Sequence, residues 1–144
     1  MKIVEFVTPL HLTVLMDRSF RLVNDFYVRL DGVEIIIPEG FETDLASVPR
    51  LPIVYFAVGG RGHLAAVLHD WLYSRAMFTR LVCDQYFYHA LRESGVGYFL
   101  AQSMYLGVRA GGGVWYEANA KKILEAKVDE AVLQLKNSLS GELP

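Results

Sequence analysis

Over the first third of the chain, β-branched and aromatic residues recur in short runs broken by turn residues, at Ile3 to Val7, Leu10 to Leu15 and Phe20 to Leu30. Runs of this length and composition predict strands, and a meander is their simplest arrangement. Asp31-Gly32 stands between Tyr27-Val28-Arg29-Leu30 and Val33-Glu34-Ile35-Ile36-Ile37. This dipeptide suits a two-residue hairpin turn, because glycine tolerates positive φ. Pro38-Glu39-Gly40 ends the second strand of that hairpin, and Pro49 and Pro52 predict an irregular, extended stretch after it. A loop of that length is often a functional surface.

From His63 the period changes to that of a helix, with Leu64, Val67, Leu68, Trp71 and Leu72 forming an apolar stripe up to about Ser74. Thr79 is placed to cap a second helix that buries Val82, Tyr86, Ala90 and Leu91 and stops at Ser94-Gly95. Gly97 to Val108 predicts a third helix. Gly111-Gly112-Gly113 is a hinge or stop, since it lacks the lysine and hydroxyl residue of a phosphate-binding loop. A last helix, from about Val114 to Leu139, carries Leu124, Val128, Ala131 and Leu135 at heptad-like spacing between lysines and acids. Its simplest reading is a surface helix that packs this stripe on its own domain; the alternative is an intermolecular coil. The pattern predicts an α+β fold, with N-terminal antiparallel strands packed on a C-terminal helical bundle and a protruding last helix. Residues 1–113 are read as one domain, with strands within 1–40 and helices within 63–110, and residues 114–144 as an amphipathic C-terminal helix.

At 144 residues and 53% hydrophobic, the chain is of a size to fold around one core. A formal charge of −2 gives no strong positive field, so binding of nucleic acid by bulk charge is not expected. Cys83 is the single cysteine, which excludes an intrachain disulfide and suits a reducing compartment. The longest uncharged apolar stretch, Leu51 to Gly60, falls far short of the roughly 20 residues that cross a bilayer as a helix. The opening Met1-Lys2-Ile3-Val4-Glu5 lacks the unbroken apolar region of a secretory signal, so export by that route is not expected.

The candidate chemistry lies where the strands give way to helices. His69 and Tyr73 are four residues apart and share a helix face, with Asp70 about a quarter-turn aside. Asp84 on the next helix is followed by Phe87, Tyr88 and Leu91, which puts its carboxylate beside a partly apolar face, where it needs a partner. If the two helices pack antiparallel across the short Arg75 to Phe78 connection, Asp84 is in reach of both His69 and Tyr73. A carboxylate bound to one imidazole nitrogen leaves the other to accept a proton, as a general base requires, and Asp70 remains for a cation. The residues alone leave two readings open: a catalytic or metal site, or a satisfied polar cluster that locks two helices together. Asp44, Ser47 and Arg50 are secondary candidates. Asp44 and Ser47 read first as a local cap or turn, and Arg50 is placed to pair with either acid. His63, six residues before His69, is not on its face, which disfavours a zinc pair.

Phe6-Val7-Thr8-Pro9-Leu10, the stretch from Ile37 to Arg50 that contains Gly40-Phe41-Glu42-Thr43-Asp44, and Ala65 to Tyr73 with its His69-Asp70-Trp71-Leu72-Tyr73 block together resemble the family catalogued as domain of unknown function 1353. The resemblance extends through Arg80, Asp84 and Phe87, covers roughly residues 6 to 116 and leaves the last helix outside. Members of that family are mostly encoded by phages and prophages, which implies a bacterial host cytoplasm or the virion as location. It further implies partners among phage structural proteins; the amphipathic last helix, outside the resemblance, adds a second copy of the chain as a candidate partner. The His-Asp-x-x-Tyr helix followed by an Asp-x-x-Phe helix is also similar to the core of phospholipase A2 enzymes. That likeness implies His69 as base, Asp84 orienting it with Tyr73 alongside, and calcium held by Asp70 and the carbonyls of Gly60 and Gly62. The expected function is a phage accessory or virion-associated protein with a hydrolase site of this kind. The alternative is a non-catalytic tail or neck assembly protein, or one that binds a host factor, in which the cluster is structural.

Overall fold

The computed structural model describes residues 2–17, 19–45 and 60–141. Among them, six short strands come first: β1 (Val4–Phe6), β2 (Leu12–Val14), β3 (Phe20–Leu22), β4 (Phe26–Leu30), β5 (Val33–Ile37) and β6 (Glu42–Thr43). Four helices follow: α1 (Gly62–Arg75), α2 (Arg80–Glu93), α3 (Tyr98–Gly111) and α4 (Gly113–Leu139). The fold is α+β, as the change of period near His63 predicts.

The strands do not form the expected meander. They divide into two antiparallel three-stranded sheets, with orders β1-β4-β5 and β2-β3-β6. β4 has the most complete alternation, burying Phe26, Val28 and Leu30 on one face, and it takes the central place in the first sheet. β5 joins one edge through the tight turn, and β1 takes the other edge, pairing Val4 with Leu30 and Phe6 with Val28. β2 has no buried residue and ends as an outer strand of the second sheet. At the turn, Asp31 has φ 48° and Gly32 φ 86°, the two positive values that a type I′ hairpin needs. The Asp31 carboxylate accepts from the Tyr86 hydroxyl and the Ile3 amide, both at 2.7 Å, and so ties the hairpin to α2 and β1.

α1 is buried around most of its circumference, beyond the single stripe that its spacing suggests. Ala65, Ala66, Val67, Leu68, Leu72 and Tyr73 are all enclosed, because α1 packs against both α2 and α4. It closes at Ala76 in the left-handed conformation, φ 46°, whose N–H returns to Leu72 and Tyr73 carbonyls. Thr79 then caps α2, its hydroxyl accepting from the Val82 amide. With so short a connection, α1 and α2 run antiparallel side by side, and α3 packs on α2. Phe26 and Ile37 from the sheet meet Leu68, Phe87, Leu91 and Met104 in one core.

α4 docks by its first turns, where Tyr116 donates a 2.7 Å hydrogen bond to the Phe78 carbonyl and sets its ring edge-on to Tyr73. No residue of α4 is buried, and Leu124, Val128, Ala131 and Leu135 are exposed. The stripe therefore protrudes; it does not pack on its own domain as its simplest reading had it. No helix among the described residues is long and apolar enough to cross a membrane.

The hairpin turn yields a first expected outcome. Gly32→Val places a β-branched residue at φ 86° and should lower stability by about 1–2 kcal/mol, read as a fall in denaturant midpoint at unchanged slope. An unshifted midpoint would show that the turn does not hold the register of β4 and β5.

Candidate active site

Three helices converge on one carboxylate. His69 and Tyr73 project from one face of α1, and Asp84 faces them from the second turn of α2. The His69 ring nitrogen Nε2 lies 2.7 Å from Asp84 Oδ1, and the Tyr73 hydroxyl donates to the same oxygen. The other oxygen, Oδ2, accepts from Arg109 Nη1 of α3 at 2.7 Å, with Arg80 Nε at 3.9 Å. Asp84 is 0% exposed and His69 2%. The hydrogen bonds from His69 and Tyr73 to Asp84 are those that the helix spacing predicts. Arg109 and Arg80 were not expected there.

Taking a carboxylate out of water is costly unless its charge is paired and its oxygens are satisfied. Burial pushes the Asp84 carboxyl up, but the hydrogen bonds from His69, Tyr73 and Arg109 outweigh burial and hold it below its ordinary value. Tyr73 moves the opposite way. Burial first, then its bond to the carboxylate, raise the phenol, which keeps its proton and donates it. Since an ionised carboxylate can only accept, His69 donates to it from Nε2. Arg80 adds a second link, its Nη2 donating to the carbonyls of Val108, at 3.2 Å, and Arg109. A cation at these last carbonyls of α3 is favoured by the helix dipole.

His69, Asp70 and Tyr73 form part of the wall of a cavity of about 600 Å³ between β6, α1, α3 and the start of α4. Thr43 and Asp44 reach it from the end of β6, and Trp115 and Asn119 from α4, so the first turns of α4 complete the site. Thr43 is the residue that sequence reasoning missed on this side. Its hydroxyl donates to Asp70 Oδ2 and accepts from the Leu45 amide, fixing the strand end to α1. Its place in the Gly40 to Asp44 block was the available signal.

The calcium set is not assembled by the residues expected to form it. α1 begins at Gly62, eight residues before Asp70, and at 1.5 Å per residue the two lie about 12 Å apart along the axis. Gly60 lines a different cavity, with Pro9 and His63. Neither glycine carbonyl reaches a cation on Asp70, whose ligands would have to lie within roughly 2.6 Å of the ion. Among the described residues, no three His, Cys, Asp or Glu side chains group as metal ligands. Ser47 and Arg50, and with them the Asp44–Ser47 turn, lie outside the described residues.

The glycine run after α3 has a steric role here. A Cβ at Gly112 would come within 2.8 Å of the Tyr73 hydroxyl, and one at Gly113 within 3.3 Å of the Arg80 guanidinium. At 112 a side chain would force the surrounding chain to shift, whereas at 113 the Arg80 guanidinium would have to give by a few tenths of an ångström.

The family model described as Protein of unknown function (DUF1353) matches residues 20–108, more than half of the chain. The match takes in His69, Tyr73, Arg80 and Asp84 and stops one residue before Arg109; α4 lies beyond it. No curated protein and no solved structure matches the chain.

Two outcomes follow from the cluster. Asp84→Ala should cost roughly 2–4 kcal/mol, since it strands three donors, one of them a guanidinium. The carboxylate is held below 3.8, the value of the unfolded chain, so its contribution is complete above that pH and fades as pH falls through the lower folded value. Wild type and Asp84→Ala should therefore differ most in melting temperature near neutrality and converge in strong acid; a pH-independent gap would refute the charge assignment. Gly112→Ala should cost about 1–3 kcal/mol by overpacking against the Val108 carbonyl and the Tyr73 ring, read as a fall in denaturant midpoint; an unshifted midpoint would show that the chain can give way there.

Proposed function

The chain belongs to the DUF1353 family, and we propose that it is a hydrolase in which His69 acts on water as a general base. The observation that carries the reading is a carboxylate-bound imidazole that forms part of a cavity wall: Nε2 is bonded to Asp84 at 2.7 Å, and the ring lines a space of about 600 Å³. That volume falls within the range of small-molecule sites. In the reaction, Nδ1 takes a proton from water as the water oxygen bonds to an acyl carbon. The acyl C–O bond then breaks, and the same proton passes to the leaving alkoxide, giving an acid and an alcohol. Asp84 orients the ring and stabilises the imidazolium formed in passing, and Tyr73 holds the carboxylate in place. The similarity to the phospholipase A2 helix pair supports the roles of His69 and Asp84, and no step is routed through a metal. The resemblance to proteins carried mostly by phages supports a phage accessory or virion-associated role in a bacterial host.

One observation favours a second reading. The exposed apolar stripe of α4, from Leu124 to Leu139, suits assembly with phage structural proteins or a second copy, in which case the cluster only bolts helices together.

Chromogenic ester hydrolysis by wild type and His69→Gln separates the two. A general base is worth about 10²–10⁴-fold, so a loss of that size in kcat, with the fold kept by circular dichroism, is the expected result. Equal rates in the two proteins, or none above buffer in wild type, would leave the assembly reading standing.

A further inference from the structure

α4 leaves the body of the fold part-way along its length. Tyr116, Asn119, Ala120 and Ile123 are half-buried at helical spacing, and from Leu124 to Leu139 every residue is exposed. At 1.5 Å per residue that segment is about 24 Å long. A helix of this length is marginal in water alone and takes most of its stability from packing an apolar face. Leu124, Val128 and Leu135 are 63%, 51% and 59% exposed, and Val132 and Leu139 continue their stripe. The first turns, seated on α1 through Tyr116, start the helix, so a partner meets a face that is already formed.

The stripe matches a second copy of itself in one direction. Leu124 and Ala131 fall at d positions of a heptad, and Val128 and Leu135 at a. In an antiparallel pair each a side chain meets a d side chain, so Leu124 packs on the partner's Leu135 and Val128 on the partner's Ala131. All four layers are apolar and nearly even in volume. In a parallel pair each residue meets its own counterpart: Ala131 against the partner's Ala131 leaves a gap, and Lys121, the preceding a position, faces the partner's Lys121. The antiparallel register sets Lys121 opposite the partner's Ser138 instead.

Charge on the flanks agrees. Glu125 comes level with the partner's Lys136 on one side of the seam, and Lys127 with the partner's Glu130 on the other; twofold symmetry repeats each contact. Within its own chain Glu125 lies 3.8 Å from Lys121, with side chains 62% and 76% exposed, and pairing sets this carboxylate between two lysines. Opposed helix dipoles favour the same direction. The two folded bodies then lie at opposite ends of the pair, whereas parallel helices bring them side by side.

We propose that α4 is a homodimerisation helix, on which a second copy packs antiparallel along Leu124 to Leu139, with the twofold axis between Val128 and Ala131. The proposal rests on the stripe being a contact surface, as the assembly reading has it, and not on the chemistry of His69. Trp115 and Asn119, which α4 lends to the cavity wall, precede the paired segment.

Sedimentation equilibrium of the full chain from about 1 to about 200 μM tests the pairing. The expected mass rises from one chain to two, and Val128→Asp, folded by circular dichroism, weakens association about tenfold or more by burying a charge in the seam. Orientation is read by mild oxidation in a Cys83→Ala background, which removes the one native thiol. Glu125→Cys mixed with Lys136→Cys should cross-link, and neither should alone, because each lies more than about 13 Å along the axis from its own counterpart. Leu124→Cys alone cross-links only in a parallel pair, and that result would overturn the proposal. A dimer that Val128→Asp leaves intact would overturn it too, by placing self-assembly on another surface. A single-chain mass throughout would overturn pairing with a second copy, while leaving both the hydrolase reading and assembly with a different protein standing.

Discussion

The fold is organised around the need to satisfy one buried anion. Asp84 is removed from water on α2, and its two oxygens require donors that come from other helices, α2 adding only the charge of Arg80 at 3.9 Å. α1 contributes His69 and Tyr73, α3 contributes Arg109, and each must arrive within hydrogen-bond distance. A hydrophobic core tolerates sliding of one helix over another at modest cost. A carboxylate shared among three helices does not, because a misplaced donor leaves a charge stranded in a medium that cannot screen it.

The consequences spread outward from that point. Bringing the end of α3 to Asp84 places the following backbone against Tyr73, which forces glycine at 112 and breaks the helix before α4. The start of α4 is thereby seated on α1 through Tyr116, while its remaining turns extend away from the core. On the other side, the short sheets act as a frame. Asp31 fastens the β4–β5 turn to Tyr86 on α2, and Thr43 fastens β6 to Asp70 on α1. The cavity opens beside the second of these attachments, between β6, α1, α3 and the start of α4.

What the sequence revealed follows the range of each interaction. The His69–Tyr73 pair and its meeting with Asp84 were legible because helix periodicity and a short connection leave little freedom between neighbouring helices. The Asp31-Gly32 turn was legible because two positive φ values select residue types locally. Arg109 was not, since its approach depends on where α3 crosses α2, a tertiary outcome carried by no local pattern. Thr43 stood in a recognisable block, but its bond to Asp70 was hidden for the same reason, as was the pairing of β1 with β4. The glycines expected to cradle calcium failed on a simple length: a helix that starts at Gly62 has already carried the chain two turns beyond them before it reaches Asp70.

A structural bolt and a catalytic base make different demands on the same residues. A bolt needs only that Asp84 be ionised, paired and satisfied. Arg109 supplies the countercharge at Oδ2 and Tyr73 a donor at Oδ1, and both do so without an imidazole. His69 adds a second donor to that oxygen and packs its ring against Tyr73 and Phe87. What distinguishes imidazole from a hydroxyl or an amide in that place is its second nitrogen, made a proton acceptor by the bond at the first. A side chain chosen for that property has its use where a ligand can come, and His69 is in the cavity wall. On the hydrolase reading, that second nitrogen is the atom that carries the proton, and the packed ring and its bond to Asp84 hold it in place.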